Sequence, residues 1–155
     1  MTRYLVIPGA PSASERGEPE GAAGPERVGA KAAGLIDAAG AGLPVPPFFV
    51  LSLELFRAWR AAGGALPPDL EGELDAGLEH LARATGARFG DTEAAPLIVS
   101  VRSGAPVSMP GMLDTVLDVG ASSAVVDALA KQLGDRGTAL DVRRRFLESF
   151  GAVVR

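Results

Sequence analysis

The 155-residue sequence contains no cysteine and a single histidine, His80. The first absence removes disulfide frameworks, thiolate nucleophiles and cysteine-ligated zinc, and the second removes any histidine metal cluster. Aromatic residues are scarce at 5%, and the 47% hydrophobic fraction leans on alanine, so each residue brings less apolar area than that percentage implies. Positive charge is not in excess. Fifteen Lys and Arg stand against nineteen Asp and Glu, a net charge of -4, without the broad basic face that sequence-independent nucleic-acid binding needs. Long apolar runs are also missing: Tyr4, Leu5, Val6 and Ile7 are stopped by Pro8-Gly9, too soon for a signal-peptide core or a membrane span. The expectation is a cytoplasmic chain with neither a nucleic acid nor a membrane as partner.

Residues 4–7 read as a short buried strand. Residues 10–27 are small, polar and rich in Gly and Pro, and read as a mobile loop without chemistry. The chain divides accordingly into a strand and loop over 1–27 and a folded part over 28–155. A helix is expected over about 30–39, stopped by Gly40 and Gly42. Phe48, Phe49, Val50 and Leu51 follow as a buried strand, with Ser52 as the cap of a helix over about 53–62. A third helix opens at Pro67-Pro68-Asp69 and ends near Gly86. It turns Leu70, Leu74, Leu78 and Leu81 inward and Glu71, Glu73, Asp75 and Glu79 outward. Residues 97–101, Leu-Ile-Val-Ser-Val, read as a central strand buried on both faces. A structured loop over 103–120 ends in a short strand around 115–117, and helices follow over about 123–133 and 138–150.

Two cations stand out. Lys31 lies in the first turn of a helix, where the dipole disfavours it unless an anion sits beside it. On this motif alone a solvated lysine is the simpler reading, and the P-loop spacing is absent. Arg102 leaves an apolar strand, and its planar fork suits either phosphate oxygens or a structural carboxylate. Backbone N–H groups in Ser103-Gly104 and in Met109-Pro110-Gly111 suit a phosphate-facing loop. His80, beside Glu79, reads as a helix-surface residue. Asp114 and Asp118 read as residues that turn the backbone rather than as metal ligands.

The segment from Ser100 to Gly120, SVRSGAPVSMPGMLDTVLDVG, resembles the signature of pyruvate phosphate dikinases. The start of the first helix around Gly29 and Lys31, the stretch from Gly42 to Pro47, and Arg144-Arg145-Phe146-Leu147 with Phe150-Gly151 resemble the same family. The resemblance covers most of the chain from Val28 onward. Water dikinases share the lysine and arginine neighbourhoods but usually lack the Ser-Met-Pro-Gly-Met stretch. Departures are Ala30, Ala32 and Ala33 where glycine or asparagine is favoured, Leu113 for methionine and Asp118 for asparagine.

The resemblance implies an α/β fold, the N-terminal subdomain of an ATP-grasp type nucleotide-binding domain, with a mixed sheet and flanking helices. It implies that Lys31 and Arg102 act on ATP phosphates, with Ser103, Gly104, Ser108, Met109, Gly111, Asp114 and Thr115 forming the loop that closes over them. ATP with magnesium is the implied cofactor, its metal ligands lying outside this chain. The implied partners are the remaining domains of a dikinase, or a full-length dikinase subunit, and the chain alone is expected to be inactive. The alternative is a free-standing, non-catalytic nucleotide-binding or docking module.

Overall fold

The computed structural model describes residues 4–9, 24–105 and 115–154. The described residues form two compact units, one of residues 4–80 with Gly104 and Ala105, the other of 81–103 and 115–154.

In the first unit, β1 (Leu5–Val6) pairs antiparallel with β2 (Val50–Leu51), Leu5 opposite Leu51 and Val6 opposite Val50. The Ser52 N–H extends the pairing by donating to the Tyr4 carbonyl at 2.8 Å. Residues 25–27, expected to be loop, are helical: Pro25–Val28 form helix α1, opened by a proline at its first turn and anchored by Val28, which is only 2% exposed. Proline costs nothing there, because the first-turn N–H it lacks has no helical acceptor. The rest of the expected mobile loop, residues 10–23, lies outside the described residues. Helix α2 (Ala30–Gly40) follows within one residue, and α3 (Leu53–Ala61) begins after Ser52.

Ser52 has the extended backbone of a cap, but its hydroxyl does not accept from the helix and is buried without a hydrogen-bond partner among the described residues. Helix α3 buries none of its residues. Its exposed Phe56 and Trp59 stack on one another, centroids 5.8 Å apart.

Helix α4 (Leu70–Thr85) forms where its leucines place it, but it is rotated relative to the expected face. Leu70, Glu73, Gly77 and Leu81 are buried, while Leu74 and Leu78 are half-buried. Glu73, expected outside, turns in because its carboxylate accepts the N–H groups of Tyr4 at 2.7 Å and Leu5 at 2.6 Å. Gly77 turns in because the Phe49 ring lies against it. A Cβ there would sit 2.9 Å from the ring.

In the second unit, β3 (Val99–Arg102) pairs antiparallel with β4 (Thr115–Val119), with an irregularity between Val99 and Val101. Among the described residues β3 has this one neighbour, so it is not the central strand its apolar run suggests, and Val101 is 53% exposed. No mixed sheet joins β1–β2 with β3–β4; the described strands form two separate antiparallel pairs. After Gly120, a 3-10 turn over Ser123–Val125 leads into α5 (Val126–Leu133), and α6 (Arg136–Val153) follows.

The core of this unit consists of Ala121, Val126, Leu129, Ala139 and Val142, with Ile98, Ala130 and Phe146 packed on it. Gly134 takes the left-handed conformation that ends α5, and the Asp135 carboxylate caps α6 by accepting from the Thr138 N–H at 2.6 Å and its hydroxyl at 2.7 Å. Helix α6 is fastened to β4 by the Ser149 hydroxyl, which accepts from the Leu117 N–H at 3.0 Å. On its other side α6 leaves Leu140, Leu147 and Phe150 exposed.

Candidate functional site

The candidate residues fall into groups that the structure assembles separately. The first gathers at the start of α2. Gly29 ends α1, its N–H donating to the Pro25 carbonyl at 2.9 Å, and begins α2, its carbonyl accepting from the Ala33 N–H at 3.0 Å. With φ 86° and ψ 153° it occupies a region that is essentially restricted to glycine. This turn lies against the backbone of Gly104 and Ala105: the Ala30 N–H donates to the Ala105 carbonyl at 2.9 Å. Lys31 follows in the first turn of α2. Its side chain is exposed and makes no ion pair with a described residue, and no acidic residue shares that first turn.

The second group is built by the β3–β4 pairing. Arg102, the last residue of β3, stands directly opposite Thr115, the first of β4. In an antiparallel pair such residues hold their Cβ atoms about 5 Å apart, so the guanidinium and the threonine hydroxyl share one end of the ladder. Arg102 is exposed rather than buried, and it makes no ion pair with another described residue. Of the two partners that its apolar strand suggested, no structural carboxylate among the described residues takes the role.

Ser103 is exposed next to Arg102, and Gly104 joins the Gly29 contact. Ser108, Met109, Gly111 and Asp114 lie outside the described residues.

Asp118 turns the backbone, as expected of it: its φ is 55°, and its carbonyl accepts from the Ala121 N–H. Its carboxylate is occupied by Arg145, whose Nε lies 3.2 Å away. Among the described residues no group of three or more His, Asp or Glu is placed to hold a metal ion. A shallow groove of about 410 Å³ in the second unit is lined mostly by apolar residues, Leu97, Ile98, Leu129 and Leu133 among them; Asp118 lines it too, but neither Lys31 nor Arg102 does.

The titrating groups with displaced pKa values lie elsewhere. Asp135 is held below the ordinary aspartate value by the Thr138 hydroxyl and then by backbone N–H groups, and Asp141 by Arg144. In Asp91 the N–H groups of Ala94 and Glu93 have the same effect. They belong to helix and turn construction, not to phosphate chemistry.

The reading of the sequence missed Gly29 and Ala105 as a contact, Glu73 as a buried acceptor and the Arg145–Asp118 pair. Only Gly29 carried a local signal, a glycine between a buried valine and a helix start. The others depend on residues distant in sequence.

Of the candidate residues, Lys31 and Arg102 are thus exposed cations, each at the end of an element. No protein-family model matches the chain. Among curated proteins it is similar to pyruvate, phosphate dikinase 2 of Zea mays, with 49% identity over 129 residues, 83% of this chain and 14% of that protein. Pyruvate, phosphate dikinase of Rickettsia typhi is 42% identical over 127 residues, 82% of this chain and 14% of its own. The chloroplastic pyruvate, phosphate dikinase 1 of Arabidopsis thaliana is 44% identical over 140 residues, 90% of this chain and 14% of its own. The chain is homologous to a segment of pyruvate, phosphate dikinase, as its Arg102 segment suggested. It spans between 13% and 15% of the length of the relatives it matches. Among the described residues no helix is long and apolar enough to cross a membrane.

Proposed function

We propose that the chain is the N-terminal nucleotide-binding portion of a pyruvate phosphate dikinase-like kinase, in the N-terminal subdomain of an ATP-grasp type domain. The observation that carries this reading is identity of 40–49% with dikinases over 127–140 residues. The two exposed cations support it. Lys31 and Arg102 have no acidic partner among the described residues, which leaves their charge available to a polyanion.

ATP, when bound, supplies the phosphoryl group that such a kinase passes to a histidine carrier and on to pyruvate and phosphate. This chain's contribution is electrostatic: Lys31 and Arg102 hold phosphate oxygens, and Thr115, with Ser103 and the loop of Ser108, Met109, Gly111 and Asp114, closes over them. Fixed cations stabilise the charge that spreads over a transferred phosphoryl group without having to reorganise during the reaction. The resemblance to dikinases assigns the magnesium ligands and the histidine carrier to other parts of a dikinase.

Titration of the chain with ATP, followed by calorimetry, tests the reading. Saturable binding is expected, and Arg102→Ala should weaken it about tenfold or more, the contribution of a charge-assisted hydrogen bond being about 1.5–3 kcal/mol. Loss of folding in Arg102→Ala, seen by circular dichroism, would instead assign the arginine to the architecture.

A further inference from the structure

Gly29 is the one glycine in its neighbourhood that is constrained twice over. Its φ of 86° with ψ of 153° belongs to a region where a side chain is strained whatever space surrounds it. Space is also missing: a Cβ at 29 would lie 3.1 Å from the Ala105 carbonyl oxygen, 3.2 Å from its nitrogen and 3.4 Å from the Gly104 Cα. All three are backbone atoms, which cannot swing aside as the end of a long side chain can. Gly34 and Gly40, further along α2, have nothing within 4 Å of the same position. The demand for glycine is therefore confined to the turn that begins the helix. That turn is also where Ala30 donates its N–H to the Ala105 carbonyl at 2.9 Å, one residue before Lys31.

We propose that Gly29 is a positioning residue: by admitting the Ala105 backbone to within hydrogen-bonding distance of Ala30, it fixes the helical turn from which Lys31 reaches phosphate. The inference rests on the ATP-binding reading above and adds a residue that itself touches no ligand. A side chain at 29 pushes the start of α2 off Ala105 and moves the root of Lys31 with it. Contacts between a fixed cation and phosphate oxygens depend steeply on placement, and displacements on the order of 1 Å can cost about a hundredfold in function.

The test is a double-mutant cycle on the full chain, with the ATP dissociation constant measured for wild type, Gly29→Ala, Lys31→Ala and the combined variant. Gly29→Ala is expected to weaken ATP at least tenfold while keeping the wild-type circular dichroism spectrum. The combined variant is expected to bind no more weakly than the weaker single one, because once the lysine is gone its placement no longer matters. Losses that multiply would overturn the proposal, showing that Gly29 acts independently of Lys31. So would a Gly29→Ala protein that binds like wild type while Lys31→Ala does not, and this outcome leaves the ATP-binding reading standing. Absence of saturable ATP binding by the wild-type chain overturns both. Should Gly29→Ala melt below the assay temperature, all four proteins are measured in trimethylamine N-oxide, which favours compact states, and the same outcomes apply.

Discussion

Glu73 shows how far one side chain can redirect an element. A glutamate among Glu71, Asp75 and Glu79 reads as part of a solvated helix face, yet its carboxylate is the acceptor for two backbone donors of β1. Burying a carboxylate is costly unless it is hydrogen-bonded, and here the donors are main-chain groups that β1 must satisfy in any case. Glu73→Ala leaves the Tyr4 and Leu5 N–H groups without this acceptor and is expected to destabilise the first unit by about 2–3 kcal/mol, read as a lower urea midpoint. Glu73→Gln should lose less, since its amide oxygen still accepts. An alanine variant with the wild-type midpoint would show that the two hydrogen bonds do not hold β1 in place.

At the scale of elements, the sequence was most readable where periodicity and local chemistry agree. The helix over 30–39, the one opened by Pro67-Pro68-Asp69 and the closing pair were placed to within a few residues, because alanine and leucine spacing and flanking glycines act locally. Failures came where the deciding partner is distant. The inward face of α4 depends on Tyr4 and Leu5, nearly seventy residues away, and the exposure of β3 depends on how many strands flank it. For the candidate site, Lys31 and Arg102 were legible as unusual placements of charge, while the Gly29–Ala105 contact needed the fold.

Helix α6 illustrates local chemistry with a pH dependence. The Thr138 hydroxyl and backbone N–H groups at the Asp135 cap stabilise its ionised form, so its pKa in the folded chain lies below the ordinary aspartate value of 3.8. A group depressed in this way contributes its stability above 3.8, and the contribution is lost as pH falls below that value through the folded pKa. Asp135→Ala is therefore expected to melt at a lower temperature than wild type at pH 7, with the gap narrowing as the solution is acidified below 3.8. A gap that stayed constant with pH would mean the ionised carboxylate is not what caps the helix.

On the scale of the whole molecule, the relation to dikinases about six times longer makes polypeptide size the informative quantity. An antibody against this chain, applied to extracts of the source cells, is expected to reveal a band several times larger than 15.8 kDa. A band at 15.8 kDa would favour the free-standing nucleotide-binding or docking module instead. The purified chain is expected to form no phosphoenolpyruvate, because the proposed reading places the magnesium ligands and the histidine carrier in other parts of a dikinase. Turnover by the chain alone would show that the catalytic groups are complete within it.

The Glu73 clamp also has a consequence in time. The backbone donor of Leu5 and the carboxylate that receives it are 68 residues apart, so at translation rates of roughly 5–20 residues per second the strand waits roughly 3–14 s for its acceptor to be made. During that wait helix α2, whose contacts are local, can form and dissolve many times over. The strand made before any of the helices is thus secured only after α1, α2 and α3 have been made, and a pause in synthesis before codon 73 would lengthen the interval in which its donors remain open to a mistaken partner.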